Sequence, residues 1–273
     1  MTETTSIQRG FADVHGARLY YEATGAGHPL VMLHGHLIDS GQWDEQFEVF
    51  ARHYRVVRYD ARGFGQSSKP PGPFAHYEDL HALLAFLEIE RAYLMGCSGG
   101  GAAILDFALA YPGMADALIL VGAGLSGYQF GDPPPLALDL RAAFERGDLE
   151  RAVELSLQLW TDGENRTPDQ VNPAVRERIR AMSARLFARE NVEAQQNMLE
   201  PPAAGRLAEV HTPTLAIVGD RDVRPIQEIA DLIAVQVAGA RKVIIPDAGH
   251  HPNMEHPDLF NQIVLSFLGE LPD

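Results

Sequence analysis

From Leu30 to Val121, short apolar runs alternate with longer stretches of helical periodicity, and this alternation constrains the fold more than any other feature. Leu30–Leu33, Tyr54–Tyr59, Ala92–Gly96 and Ala117–Val121 have the length and near-continuous apolarity of strands buried on both faces. Between them, Ser40–Ala51, His76–Leu87 and Gly99–Tyr111 read as helices. Strands joined through helices run parallel, with helices covering both faces of the sheet. The pattern therefore predicts an α/β fold built on a mostly parallel, doubly wound sheet. Upstream, Phe11–Val14 and Arg18–Glu22 read as two hairpin strands. Downstream, Thr214–Val218, Pro225–Val237, Arg241–Ile245 and Pro257–Leu268 continue the strand–helix alternation.

The alternation is interrupted after Val121. Leu136–Arg206 carries helical signals and no credible strand, so the expected organisation is a core formed by 1–126 and 207–273 and a helical cap inserted at 127–206. Within the cap, Asp148 is placed to cap a helical segment running to Trp160, and Asn172 precedes a proline suited to the first helical position. Pro133–Pro135 and Pro201–Pro202 would stiffen its entry and exit. At 273 residues and 46% apolar, the chain has material enough for this core without covalent staples.

Charge and cysteine content narrow the classes of function. A formal net charge of −15 repels nucleic-acid backbones and anionic lipid surfaces, so neither is an expected partner. The single cysteine, Cys97, allows no internal disulfide, and the polar start Met1–Gly10 has no apolar stretch of signal-peptide length; a cytoplasmic protein is the expectation. The longest apolar runs, such as Ala115–Leu125, fall short of the roughly 20 residues of a membrane span.

The chemistry-bearing feature is Gly96-Cys97-Ser98-Gly99-Gly100, at an expected strand-to-helix junction. A serine flanked by glycine at −2 and +2 in this context forms a turn too tight for side chains on either flank, and it lifts the serine oxygen clear of the sheet. The following helix directs its positive end at any anion formed there. A serine nucleophile needs a base, and the base needs an acid to fix its tautomer. His250 follows the last strand and supplies the base. Asp222 is the candidate acid, at the end of Leu215–Asp222; Asp220, nearer the strand, is the alternative and would otherwise bind backbone amides of its loop. Two backbone amides would form an oxyanion hole, that of Gly99 and that of His36 in the His34–Leu37 loop. No metal is expected, because the histidines lack acidic or thiolate ligands at a recognisable spacing. Cys97 is expected to pack.

These residues resemble the α/β-hydrolase family over essentially the whole chain. The likeness is carried by the His34-Gly35 loop, Trp43, the run Asp60-Ala-Arg62-Gly63-Phe-Gly65-Gln-Ser67, the Ser98 turn, Asp222 and Ala248-Gly249-His250, in the family's order. Serine at position 98 is similar to the serine-nucleophile branch, whereas epoxide hydrolases and haloalkane dehalogenases place an aspartate there. Val56–Gly63 and Ser67–Pro73 are similar to 3-oxoadipate enol-lactonase-like hydrolases and carboxylesterases. The resemblance implies a cofactor-free serine hydrolase acting on a small-molecule ester or lactone through an acyl-enzyme. Hydrolysis of a carbon–carbon bond in vinylogous diketones, cofactor-free perhydrolysis, and a ligand-sensing receptor of this fold share the same motifs. Gly99 departs from the family, where many members carry Met, Leu or Gln; the expectation is a wider pocket beside the oxyanion hole. Leu155, Trp160, Leu186 and Phe187 of the cap are expected to roof a largely apolar pocket over Ser98.

Overall fold

The computed structural model describes residues 6–189 and 192–271. The polar start Met1–Thr5, residues 190 and 191 of the expected cap and the last two residues of the expected core lie outside that range. In chain order the elements are β1 (Gln8–Val14), β2 (Ala17–Thr24), β3 (Pro29–Leu33), α1 (Asp44–Phe50), β4 (Arg55–Tyr59), β5 (Gly72–Phe74), α2 (His76–Phe86), β6 (Ala92–Cys97), α3 (Gly99–Ala110) and β7 (Ala115–Val121). There follow α4 (Pro135–Glu145), α5 (Leu149–Ser156), α6 (Pro173–Phe187), β8 (Ala194–Gln196), β9 (Thr214–Gly219), α7 (Arg224–Gln236), β10 (Arg241–Ile245), α8 (Pro252–Glu255) and α9 (Pro257–Gly269).

Eight strands form one sheet in the order β1-β2-β4-β3-β6-β7-β9-β10. The β1–β2 and β2–β4 pairs are antiparallel, and every pair from β4 to β10 is parallel. The expected α/β class and its mostly parallel sheet are what the chain adopts. The apolar runs are continuous because both faces are covered. Along β3, Val31 and Leu33 enter the core beneath α2, α3 and α7, while Leu30 and Met32 enter the opposite core with Trp43, Phe47 and Phe260 of the α1–α9 side. Strands β6 and β7 divide in the same way, with Leu94 and Leu118 on one face and Met95 and Ile119 on the other. This two-residue alternation between buried faces is the pleat of a central strand.

Helices α4, α5 and α6 lie in the long connection between β7 and β9, where the alternation stops. Asp148 Oδ1 accepts the Arg151 amide at 3.2 Å and Asn172 Oδ1 accepts that of Ala174 at 2.9 Å, as the two cap readings anticipate. The segment after Asp148 is not uniformly α-helical, however: it passes into a π-helical turn at Leu157–Asp162. A second correction concerns the supposed absence of strands, since β8 pairs in parallel with β5. Three-residue strands drawn from segments over a hundred positions apart leave no periodicity to detect. A third is that Ser40–Trp43 is a 3₁₀ turn capped by Asp39, so α1 begins at Asp44.

The Asp60–Ser67 run braces the loops at the carboxyl ends of the strands. Asp60 Oδ1 accepts from the Ser40 amide at 2.9 Å and Oδ2 from the Gln66 amide at 2.7 Å. Arg62 binds Asp79 of α2 through two buried hydrogen bonds of 2.8 and 2.6 Å. Removing one member of such a pair strands a charge in the interior, whereas replacing both is far less costly. Arg62→Leu is therefore expected to destabilise the protein by about 3–5 kcal/mol, and Arg62→Leu with Asp79→Leu by much less. Urea unfolding of the three proteins measures this, and equal losses in single and double variants would contradict it.

Candidate active site

Ser98 sits between β6 and α3 with φ 52° and ψ −119°, a backbone conformation costly for a residue with a side chain. The surrounding glycines explain why it is held there. A Cβ on Gly96 would lie 2.5 Å from the Gly100 carbonyl oxygen, and one on Gly100 would lie 2.5 Å from the His34 carbonyl oxygen. The turn is thus packed backbone to backbone against its own helix and against the end of β3. The Ser98 amide donates to the Val121 carbonyl at 2.9 Å, and its carbonyl accepts from Gly124 at 2.9 Å, which ties the turn to the end of β7. Cys97 is fully buried beside it; burial pushes its thiol up to about 12, consistent with the expected packing role.

Of the two carboxylates after β9, the structure brings Asp222 to His250, with Oδ2 2.8 Å from Nδ1 and both side chains buried. The second Asp222 oxygen accepts the Val223 amide at 2.8 Å. Asp220 instead lies at the surface, 3.6 Å from Arg221. Among the described residues, His250 Nε2 has no hydrogen-bond partner although it is buried. His250, Ser98, Gly99 and His36 line one cavity of about 430 Å³, within the range of small-molecule sites. Gly122, which sequence reading missed, makes room for the pair: a Cβ there would lie 3.1 Å from Asp222 Oδ2 and 3.2 Å from His250 Nδ1.

The connection between β7 and β9 fixes the loop that carries His250. The Trp160 carbonyl accepts the His250 amide at 3.0 Å, and the two rings lie 4.8 Å apart. Buried Arg166 donates to the carbonyls of Thr161, Asp162 and Asp247 at 2.7–2.8 Å and to Glu255 Oε2 at 2.8 Å. Glu255 Oε1 in turn accepts the Gly249 amide at 2.7 Å. The Glu164 amide donates to the Arg221 carbonyl at 2.7 Å, so one cap segment holds the loops of both Asp222 and His250. No local pattern in the sequence marks the pairing of Arg166 with Glu255 and with the Asp247 carbonyl, because these partners lie more than eighty positions away.

The histidines of the His34–Leu37 loop divide by role. His34 uses both ring nitrogens inside the protein, Nε2 accepting from the Ala61 amide at 3.0 Å and Nδ1 donating to the Gly35 carbonyl at 2.7 Å. His36 faces the cavity, and its ring occupies the space that the missing side chain of Gly99 leaves: a Cβ at position 99 would lie 2.5 Å from His36 Nε2. The expected widening of the pocket at Gly99 is thereby corrected, since another loop fills the gap. A further correction concerns the roof. Among the described residues, Trp160 lines the cavity, but Leu155 is buried between α4 and α5, and Phe187 packs with those helices. Leu186 lines a separate polar crevice. Phe130, Ile179, Met198, Leu125 and Ile226 are among the other large apolar side chains that line the cavity. Asp106 lies eight residues along α3 from Ser98, about 12 Å at the helical rise. Burial pushes its carboxyl up, and it accepts from Ser126 Oγ at 2.5 Å.

A family model described as the alpha/beta hydrolase family matches residues 30–263. The chain is 30% identical to a 2-hydroxy-6-oxononadienedioate/2-hydroxy-6-oxononatrienedioate hydrolase of Paraburkholderia phymatum, covering 93% of this chain and 91% of the relative. It is 28% identical to a pimeloyl-[acyl-carrier protein] methyl ester esterase of Pectobacterium carotovorum, over 92% of this chain and 98% of that one. Among solved structures, Est816, an N-acyl homoserine lactone degrading enzyme, superposes with a TM-score of 0.77 at 26% identity, covering 94% of this chain and 100% of the other.

Two rings of the site, His76 and His251, are held neutral by burial, which lowers each to about 3. Unfolding releases them to the ordinary value near 6.5, so below that pH the unfolded state binds protons that the folded state refuses. Stability is therefore expected to fall as pH drops from 6.5 toward 3, with His76 and His251 each removing about 2 kcal/mol by pH 5. Urea unfolding from pH 7.5 to 5 on wild type, His76→Gln and His251→Gln tests this. The variants should show shallower slopes, and unchanged slopes would contradict the assignment.

Proposed function

The chain belongs to the alpha/beta hydrolase family and is a hydrolase of that type, and from this premise we propose that it cleaves a carboxylic ester or lactone through an acyl-enzyme on Ser98. The observation that carries the reading is the buried Asp222–His250 hydrogen bond of 2.8 Å, with the opposite ring nitrogen unpartnered among the described residues and His250 lining the same cavity as Ser98. An imidazole anchored at Nδ1 to a carboxylate keeps its Nε2 lone pair for a proton acceptor's role. In this reading Nε2 takes the Ser98 proton as Oγ attacks the scissile carbonyl. The amides of Gly99 and His36 receive the charge that develops on the carbonyl oxygen, and the N-terminal end of α3 favours the same charge. Collapse of the tetrahedral intermediate expels the alcohol, protonated by His250. Water then enters, loses a proton to Nε2, and releases the acid.

The substrate we infer is a small molecule, on the size of the cavity and its mixed lining. Apolar Ile179, Trp160 and Met198 share it with polar Ser126, Ser183 and Asn197. The ester and lactone readings draw further support from the esterase and lactone-degrading relatives. No helix of the described residues is long and apolar enough to cross a membrane. All the groups that this chemistry requires are side chains and amides of the chain itself, together with water. The division of the chain into a core of 1–126 and 207–273 and a cap of 127–206 is part of the proposal, the cap supplying Trp160 and Ile179 to the substrate's roof.

Ser98→Ala is expected to abolish hydrolysis of p-nitrophenyl esters while its circular dichroism matches wild type; a folded variant of near-normal rate would remove the nucleophile. Asp222→Asn is expected to lower kcat by two to four orders of magnitude, about the loss typical of a carboxylate that orients a catalytic imidazole. Asp220→Asn should cost less than about threefold, since a surface carboxylate contributes little. Steady-state kinetics on the two variants decide this, and the reverse ranking would assign the acid to Asp220.

A further inference from the structure

The side chain of His36 is a polar group that nothing in the reaction above uses. Its backbone amide serves the oxyanion, but the ring points elsewhere. The imidazole is stacked on Phe64, with centroids 5.7 Å apart and planes within 3°, which fixes its plane. Its Nε2 edge is the nearest group to the missing side chain of Gly99, the residue whose amide is to bind the carbonyl oxygen. The residue is solvent-exposed and lines the cavity, so its ring is open to whatever the cavity holds. Among the described residues no hydrogen bond reaches either of its nitrogens, in contrast to His34 two residues away in the same loop, which uses both. A neutral imidazole carries one donor and one acceptor.

A substrate seated on Ser98 strips water from this ring. An acyl chain that is apolar next to the reacting carbonyl leaves the nitrogen without a partner, at the cost of a buried unsatisfied polar group; an acyl chain with an oxygen there restores the bond. We propose that His36 is a specificity-determining residue whose Nε2–H hydrogen-bonds an acceptor oxygen on the carbon next to the scissile carbonyl. The preferred acyl groups are therefore 2-oxygenated: 2-alkoxy, 2-hydroxy or 2-oxo. The location is inferred from proximity, since an oxygen two bonds from a carbonyl carbon held by the Gly99 amide would lie alongside Gly99, where Nε2 is. The inference rests on acyl transfer at Ser98 and adds the class of acyl group.

The test uses two isosteric esters, p-nitrophenyl methoxyacetate and p-nitrophenyl butanoate, which differ by an oxygen in place of a methylene at the position in question. Their ratio of kcat/KM, divided by their ratio of hydroxide-catalysed rates, removes intrinsic reactivity. For wild type the normalised ratio is expected to favour methoxyacetate about tenfold to a hundredfold, the range that one hydrogen bond to an otherwise unpaired group supplies. His36→Ala should bring it to about one, and His36→Gln, which keeps a donor, should retain part of it. A packing role would slow both esters by a common factor and leave the ratio alone. A wild-type ratio near one, or a ratio unchanged in His36→Ala, would overturn the inference while leaving the ester reading in place. Wild-type protein that hydrolyses neither ester would overturn both, and is told apart by its lack of any rate to compare.

Discussion

The structure turns on a steric contact between backbones. The strand-to-helix turn at Ser98 is pressed against its own helix at Gly96 and against the end of β3 at Gly100, with no room for a Cβ at either place. That pressure holds Ser98 at a positive φ that it would not adopt alone, and the hydrogen bonds to Val121 and Gly124 secure it from the β7 side. Three adjacent parallel strands, β3, β6 and β7, must therefore be in register before the serine is presented. The large two-sided core is what supplies that register, and the strain at one residue is small against the burial that enforces it.

The second requirement is that the two loops after β9 and β10, at the same carboxyl end of the sheet, meet the turn. Asp222 follows β9 and His250 follows β10, and parallel pairing brings the ends of these strands side by side. Neither loop is left to itself. Arg166 and Glu255 knit the histidine loop to the cap's π-helical turn, and Glu164 does the same for the loop of Asp222. Irregular helical turns of this kind expose carbonyls that an ordinary helix would consume, and here Arg166 and His250 take them. The connection between β7 and β9 is thus a structural partner of the loops that carry Asp222 and His250.

How much of this was legible in the sequence depends on where each partner comes from. The parallel sheet was legible because buried strands and covering helices leave continuous local signatures. The Ser98 turn was legible because its steric demands fall on positions 96 and 100, a fixed distance from the serine. Asp222 and His250 were legible as loop residues after strands, and their contact follows from strand order. What the sequence hid is built from distant segments: the β5–β8 pair, Gly122 beneath the Asp222–His250 bond, and the Arg166–Glu255 clamp. The gap at Gly99 was visible, but its consequence was misread, since a ring from the His34–Leu37 loop enters the space that the missing side chain vacates. A local pattern records what a position lacks and is silent about what moves in.

In the proposed reaction Ser98 Oγ becomes acylated, with His250 as its base. Its most direct measurement is mass spectrometry of the intact protein and its peptides after exposure to a fluorescent organophosphonate. The account predicts stoichiometric modification at Ser98, abolished in Ser98→Ala and strongly slowed in His250→Ala, with loss of activity in proportion to labelling. Full inactivation with the label on another residue, or an active protein in which Ser98 remains unmodified, would contradict it.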